Sequence, residues 1–325
     1  MGKPLTAASK VFVTGCSGFL GRWLCDELLD LGHEVYGLDI KLSPGCSERL
    51  NQFYHHDLRL PLLGAIPDFD FVIHLASGAG GFLKNAHDSS LVDSEQQMLR
   101  QVKEIHVKSK AKRLIYTSSV NVFEATGVQN EGPLTVFDQK TPYAQAKAEA
   151  ERTIQNEFDR FSILRPTNYF GPFQVRQSDT FGESHVIPDL IDKIQTQNVL
   201  EVFGDGTQIR NFIHLSDVSD FIIRSLDSED SSFTHLRSGL FLTIKDLALQ
   251  LLTLLKSEKE IRFSPQYLRY EPFPISNFPM ESALQRGWEP QVSSLKEGLE
   301  FFRTKKYPPA IPSKASHKLQ GTIEP

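Results

Sequence analysis

Three glycines at intervals of three, directly behind an apolar strand, constrain this chain more than any other feature. In "VFVTGCSGFLGRWL" (Val11–Leu24), Val11, Phe12 and Val13 favour a buried strand, while Phe19, Leu20, Trp23, Leu24, Leu28 and Leu29 recur with helical spacing. Gly15, Gly18 and Gly21 therefore fall where a strand turns into a helix. Gly15 can take backbone angles closed to other residues, and Gly18 lets the main chain approach a ligand closely. Gly21 lets the helix press against the strand. The first-turn N–H groups have no partner inside the helix, and the helix dipole favours an anion there. The stretch reads as a phosphate cradle, with Ser17, Phe19 and Leu20 between its glycines.

The spacing is G-x-x-G-x-x-G, which departs from the G-x-G-x-x-G dinucleotide fingerprint, and glycines also mark ordinary strand-to-helix turns. The next strand favours the cradle. "HEVYGLDIK" ends in a carboxylate, Asp39, about 20 residues past the glycines, where a ribose 2′-hydroxyl is recognised. An acid there repels a 2′-phosphate, so the expected cofactor is NAD rather than NADP. Lys41 weakens that preference slightly.

Composition excludes several partner classes. The chain has 325 residues and a formal net charge of -5, so it carries no basic footprint for nucleic acid. No apolar run approaches the roughly 20 residues of a membrane span. Cys16, Cys25 and Cys46 have no metal-type spacing and are too few for a disulfide framework. No metal is expected, and His55-His56 lacks a partner for one. Reduced thiols and the lack of a signal-peptide core point to the cytoplasm. "MGKPLT" fits a myristoylation pattern formally, but reads better as a plain leader.

Strand-like and helix-like segments alternate through the first half. Strands are expected at "QFYHHDL", "DFVIHLA", "KRLIYTSS" and "FSILRPTN", with helices at "DSEQQMLRQVKEIHVKSK" and "YAQAKAEAERTIQNEF". Such alternation predicts an α/β fold, a doubly wound parallel sheet of Rossmann type, whose ligands bind at the carboxyl ends of the strands. Residues 1–169 are read as the NAD-binding domain. Residues 170–306 form a smaller mixed α/β substrate-binding lobe interleaved with it, and 307–325 a tail. Within the lobe "VLEVFGDGTQIRNFIHL" reads as a hairpin turning at Asp205-Gly206.

Catalytic chemistry is sought at the strand ends. "RLIYTSS" ends in Ser118 and Ser119, and "TPYAQAKAEAE" opens a helix with Tyr143 and Lys147 on one face. A phenol ionises near pH 10, and a neighbouring ammonium favours the phenolate. Tyr143 would then take a hydroxyl proton while the carbinol hydrogen leaves as hydride, with Ser119 holding the same oxygen.

These motifs resemble the extended short-chain dehydrogenase/reductase superfamily, in its NAD-dependent nucleotide-sugar epimerase/dehydratase branch, over nearly the whole chain. The resemblance implies a catalytic triad of Ser119, Tyr143 and Lys147, with Lys147 lowering the phenol pKa and holding the nicotinamide ribose. It places Asp57 and Leu58 of "HHDLR" at the adenine, and Leu75, Ala76 and Ser77 of "HLAS" along the cofactor. "ILRPTNYFGP" and "FGDGTQIRNFIHLSDV" resemble the stretches that grip a sugar diphosphate, here through Asn168 and Arg210; an arginine fork suits that task. His74 and His214 read as packed strand histidines.

Departures bear on the reaction. Sugar 4,6-dehydratases carry an Asp-Glu pair after the serine, where this chain has Val120 and Asn121, the latter expected near the substrate. Glu95 stands where relatives often have asparagine, and Phe123-Glu124 replaces Tyr-Gly. The implied function is an NAD-dependent epimerase of a nucleotide-diphosphate sugar, acting through a transient keto-sugar with C4 as the expected carbon. A nucleotide-4-keto-sugar reductase or 4-dehydrogenase with the same triad, and a non-catalytic cofactor-binding regulator, are the alternatives. Relatives dimerise through the two helices that hold Met98–Lys108 and Tyr143–Phe158, so a homodimer is expected. Leu99, Val102 and Ile105-His106 are its expected apolar contacts.

Overall fold

A computed structural model describes residues 8–42, 48–62, 64–124, 130–171, 185–264 and 278–300. Expectations placed on the leader, Cys46, residues 172–184 and the tail fall outside them. The run before the glycines forms β1 (Lys10–Thr14), and the helical repeat behind them forms α1 (Phe19–Asp30). Then come β2 (Glu34–Asp39), β3 (Gln52–His55), β4 (Phe71–His74), α2 (Phe82–His87), α3 (Ser90–Lys108) and β5 (Arg113–Thr117). A short 3-10 helix (Val120–Phe123) leads to α4 (Pro142–Glu157), β6 (Phe161–Pro166) and β7 (Asn168–Phe170). The second half holds α5 (Val186–Thr196), β8 (Leu200–Phe203), β9 (Ile209–His214), α6 (Leu215–Ser225), β10 (Ser232–Leu236) and β11 (Phe241–Thr243). It closes with α7 (Ile244–Leu254), β12 (Ile261–Ser264), α8 (Glu281–Gln285) and α9 (Leu295–Glu300).

Seven strands pair in parallel in the order β10-β6-β5-β4-β1-β2-β3. Runs such as "VFV" and "LIY" are buried on both sides, as strands covered by helices must be. Leu20, Trp23, Leu24 and Leu28 of α1 pack with Val218, Phe221 and Ile222 of α6 on one face. Met98, Leu99, Val102 and Ile105 of α3 pack with Ile154 of α4 on the other. The doubly wound parallel sheet is therefore present. Its strand order reverses between β1 and β4, the switch point where such sheets bind ligands.

Two expectations are corrected here. "VLEVFGDGTQIRNFIHL" is no hairpin: β8 pairs with β12, while β9 lies between β7 and β11 in another sheet. Its turn is engaged elsewhere, because the Gly204 N–H bonds to Ser264 O and the Gly206 carbonyl accepts from Lys245 at the start of α7. Leu99, Val102 and Ile105 are buried in the chain's own core, so they are not free to contact a partner. His106 is half-buried and its ring packs edge-on against Phe158.

Three buried histidines predict acid sensitivity. Burial pushes His74 and His214 down to about 4, and burial with the Arg165 charge pushes His235 down to about 3. Their folded values lie below the ordinary 6.5, so as pH falls through 6.5 the unfolded chain binds protons that the folded chain refuses. Stability drops until the folded groups titrate as well. Melting followed by circular dichroism should show Tm lower by roughly 5 °C or more at about pH 5 than at about pH 7. An unchanged or higher Tm at the acid pH would contradict this.

Candidate active site

The carboxyl ends of β1, β4, β5 and β6 surround a cavity of about 260 Å³. One wall is the glycine turn. Gly15 has φ +72°, and a Cβ there would lie 2.7 Å from the Ala76 nitrogen. A Cβ on Gly21 would lie 2.1 Å from the Gly15 carbonyl oxygen, so α1 starts in contact with the turn. Gly18, Phe19 and Leu20 line the cavity. The uncommitted N–H groups of the first helical turn thus belong to its wall. The Ser17 hydroxyl beside them is buried with no partner among the described residues. Asp39, at the end of β2, accepts the Ser17 N–H at 3.0 Å and the Ile40 N–H at 2.8 Å. Burial raises its carboxyl above the ordinary value, and those backbone donors hold the rise in check.

Leu75 and Ser77 also line the cavity, and Ala76 backs Gly15. Asp57 is gripped by Arg59, whose Nη2 lies 2.6 Å from Oδ2, and these hydrogen bonds draw its carboxyl down to about 2. Leu58 is buried in the apolar cluster of Phe12, Tyr54 and Phe69.

The other wall is built by α4. Thr141 caps the helix by accepting the Ala144 N–H, and Pro142 follows at the first turn, where its missing N–H costs nothing. Glu124 fixes the cap by accepting the Thr141 N–H at 3.1 Å and hydroxyl at 2.8 Å. Tyr143 is thereby set at the helix start, with Lys147 and Glu151 at successive turns on the same face. Glu151 is pinned to β6 by a buried two-pronged pair with Arg165, at 2.9 and 2.6 Å, and accepts the Ser118 hydroxyl at 2.5 Å.

Ser119, Tyr143 and Lys147 all line the cavity, and the Ser119 hydroxyl is near enough to favour the Tyr143 phenolate. The expected drop in the phenol's pKa is absent. Burial chiefly, opposed by the Ser119 hydrogen bond and assisted by the charges of Glu95 and Glu124, pushes Tyr143 up to about 12. The Lys147 ammonium, one turn along α4, is itself paired. Its Nζ donates to Glu95 Oε1 at 2.8 Å and to the Thr117 carbonyl at 3.3 Å.

On the open side, Asn121 and Asn168 line the cavity, and Asn168 is steadied by its Nδ2 bond to the Asn211 carbonyl at 3.1 Å. Tyr169 stacks on Phe19 with centroids 5.9 Å apart. Arg210 sits on β9 with Nη2 bonded to Gln208 Oε1 at 3.0 Å and is not among the described lining residues. Sequence reasoning missed Thr117, Tyr169 and Asn85, which also line the cavity. Thr117 and Tyr169 lie inside the motif-bearing stretches "RLIYTSS" and "ILRPTNYFGP". Asn85 stands in a stretch that carries no such signal.

These residues fit a dinucleotide. The crowded glycines leave room only for backbone, as a pyrophosphate cradle requires. The buried hydroxyls of Ser17 and Thr117 have no partner among the described residues and can bond a ligand. Among the described residues, no group of three or more His, Cys, Asp or Glu is placed to hold a metal, and no helix is long and apolar enough to cross a membrane.

Comparison with known proteins agrees with this chemistry. The chain is 26% identical over 91% of its length to a UDP-glucose 4-epimerase of Mycolicibacterium smegmatis, covering 99% of that protein. It is 25% identical over 93% of its length to the mouse dTDP-D-glucose 4,6-dehydratase, covering 91% of that protein. Its fold matches the crystal structure of a Thermotoga maritima UDP-glucose 4-epimerase with UDP-glucose at a TM-score of 0.74. That match has 23% identity and covers 90% of this chain and 98% of the other. The family model described as "NAD dependent epimerase/dehydratase family" matches residues 11–235, more than half of the chain. With the fold, the cradle and that match in agreement, the protein belongs to the NAD-dependent epimerase/dehydratase family, a family of enzymes whose cofactor is NAD.

Proposed function

We propose that the protein is an epimerase of a nucleotide-diphosphate sugar, working at C4 through a transient keto-sugar. The observation that carries this reading lies just after Ser119. Val120 is 3% exposed and packs with Val122 and Phe123, and Asn121 occupies the cavity wall. Neither moves protons well, which disfavours loss of water from the sugar, whereas the Ser119–Tyr143 pair serves a reversible oxidation. In this reading Gly15, Ser17, Gly18, Phe19, Leu20 and Gly21 hold the NAD pyrophosphate and Asp39 the adenosine ribose. Asp57 and Leu58 lie toward the adenine, while Leu75, Ala76, Ser77 and Lys147 face the nicotinamide half. When bound, NAD accepts and returns a hydride. Tyr143 takes the proton of the sugar hydroxyl at its phenolic oxygen and gives it back, and Ser119 orients the oxygen that loses it. Asn121 and Asn168 contact the sugar diphosphate, and Arg210 is assigned to its phosphates. The enzyme is read as a cytoplasmic homodimer.

The test is incubation of the NAD-loaded enzyme with UDP-, GDP-, CDP- and dTDP-hexoses, with products read by NMR. The expected result is C4 epimer formed with no net NADH and no need for further NAD. Net NADH, or a 6-deoxy-4-keto product, would overturn it. Calorimetry should show nucleoside diphosphate binding weakened more than tenfold in Arg210→Ala, from the loss of a charged hydrogen-bond partner worth roughly 2–5 kcal/mol. Light scattering on the same samples reads the dimer.

A further inference from the structure

One buried carboxylate plays no part in the chemistry above. Glu95, on α3, is 2% exposed. A charge so placed needs close partners, and the donors around Glu95 come from the wall of the site. Its Oε1 receives Lys147 Nζ at 2.8 Å and the Tyr116 hydroxyl at 2.6 Å, and its Oε2 receives the Ser77 hydroxyl at 3.3 Å. Burial raises the Glu95 carboxyl, but the Lys147 ammonium, His74 and the hydrogen bonds from Lys147 and Tyr116 outweigh it and hold it below its ordinary value. Lys147 has three N–H donors. Glu95 takes one and the Thr117 carbonyl another, which leaves one for the cavity that Lys147 lines.

We propose that Glu95 is a positioning residue for the reaction assigned to Tyr143: its carboxylate pins the Lys147 ammonium against β5 and cancels its charge, so that the phenol keeps its proton in the cofactor-free protein. The inference rests on the reading of Tyr143 as the base. Several groups bear on that phenol: Ser119 at the end of β5, Glu95 on α3, Glu124 behind the 3-10 helix, Tyr116 on β5 and Tyr169 on β7; Lys147 lies one turn along the same face of α4. Only Glu95, Glu124 and Lys147 among them carry charge at neutral pH. Glu124 is bound to the Thr141 cap. His74 adjoins Glu95 and Tyr116 but, pushed by burial to about 4, is neutral there. With Glu95 neutralised, the Lys147 ammonium one turn along α4 loses its carboxylate partner, and the phenolate gains.

The test uses cofactor-free protein labelled with ¹³Cζ-tyrosine, the Tyr143 resonance being assigned by its loss in Tyr143→Phe. In the parent, Tyr143 should show no ionisation up to about pH 10, consistent with a group pushed well above its ordinary value. Glu95→Gln keeps the shape and should lower the midpoint by about 1–3 pH units, the size of effect expected from an unmatched charge nearby. Glu95→Asp retains the charge and should track the parent. In the loaded enzyme, the acidic limb of the kcat–pH profile should move down with the midpoint in Glu95→Gln alone. A pair that serves only folding would lower Tm and leave both readings in place. Equal titration in Glu95→Gln and the parent overturns the proposal. So does ionisation of the parent's Tyr143 below about pH 9, which decides the matter even if Glu95→Gln fails to fold. Normal turnover in Tyr143→Phe would instead remove the base assignment, and leaves these titrations as they stand.

Discussion

Tyr143→Phe should turn over substrate about 10²–10⁴-fold more slowly than the parent, the usual worth of a positioned acid–base group, while NAD still binds. The phenol lines the cavity from the second position of α4, beside Ser119. Phenylalanine fills the same space and removes only the proton carrier. The helix start should survive, since Thr141, Pro142, Glu124, and the Glu151–Arg165 pair all hold it without the hydroxyl. The glycine turn, on another wall, should keep its affinity for the cofactor. Stopped assays of epimer formation, beside a fluorescence titration with NAD, separate these effects. Turnover within about threefold of the parent, too small for a lost acid–base group, would mean that Tyr143 does not carry the proton.

The fold was legible where local signals agree with tertiary placement. The glycine spacing marks β1, the turn and α1 because the close approach of Gly21 to Gly15 leaves no other residue possible there. The strand β10 was not legible. "SFTHL" is short, comes after the polar stretch "DSEDSS", and joins the main sheet only through its pairing with β6, seventy residues away in sequence. The Asp205-Gly206 turn signal is real, since Gly206 has φ +78° and Asp205 caps Thr207 through its carboxylate. A turn dipeptide reports the local bend, however, and says nothing about which strands its flanks will join. Here they join different sheets.

The site was legible in parts and misread in its electrostatics. Tyr143 and Lys147 share a helical face by spacing alone, which is a local property. The charge that Lys147 presents is set by Glu95, fifty-two residues earlier on a different helix, and no spacing rule connects the two. The same holds for Leu99, Val102 and Ile105. Their periodicity marks an apolar face, but only the sheet beneath α3 decides whether that face meets the chain's own core or a partner. Glu124, odd as a replacement for glycine, turns out to secure the cap of α4.

Gly21→Ala should abolish measurable NAD binding, a loss of at least about 100-fold, or about 2.7 kcal/mol. The added methyl would stand 2.1 Å from the Gly15 carbonyl oxygen and 2.8 Å from the Cys16 Cα. Both are backbone atoms of the turn itself, so no side chain can swing aside to admit it. Either α1 moves away from the turn or the turn opens, and each displaces the first-turn N–H groups that would hold the pyrophosphate. The fold should bear the change, since forcing an extra carbon into a packed site typically costs about 1–3 kcal/mol. Gly32→Ala is the contrast. Gly32 has φ +88° but nothing within 4 Å of a Cβ. Its substitution strains one residue at the end of α1 by about 1–2 kcal/mol and should leave NAD affinity unchanged. Calorimetric NAD titration and thermal melts of both variants give the comparison. If Gly21→Ala binds NAD within about threefold of the parent, under about 1 kcal/mol, the cradle does not hold the pyrophosphate and the cofactor must lie elsewhere on the sheet.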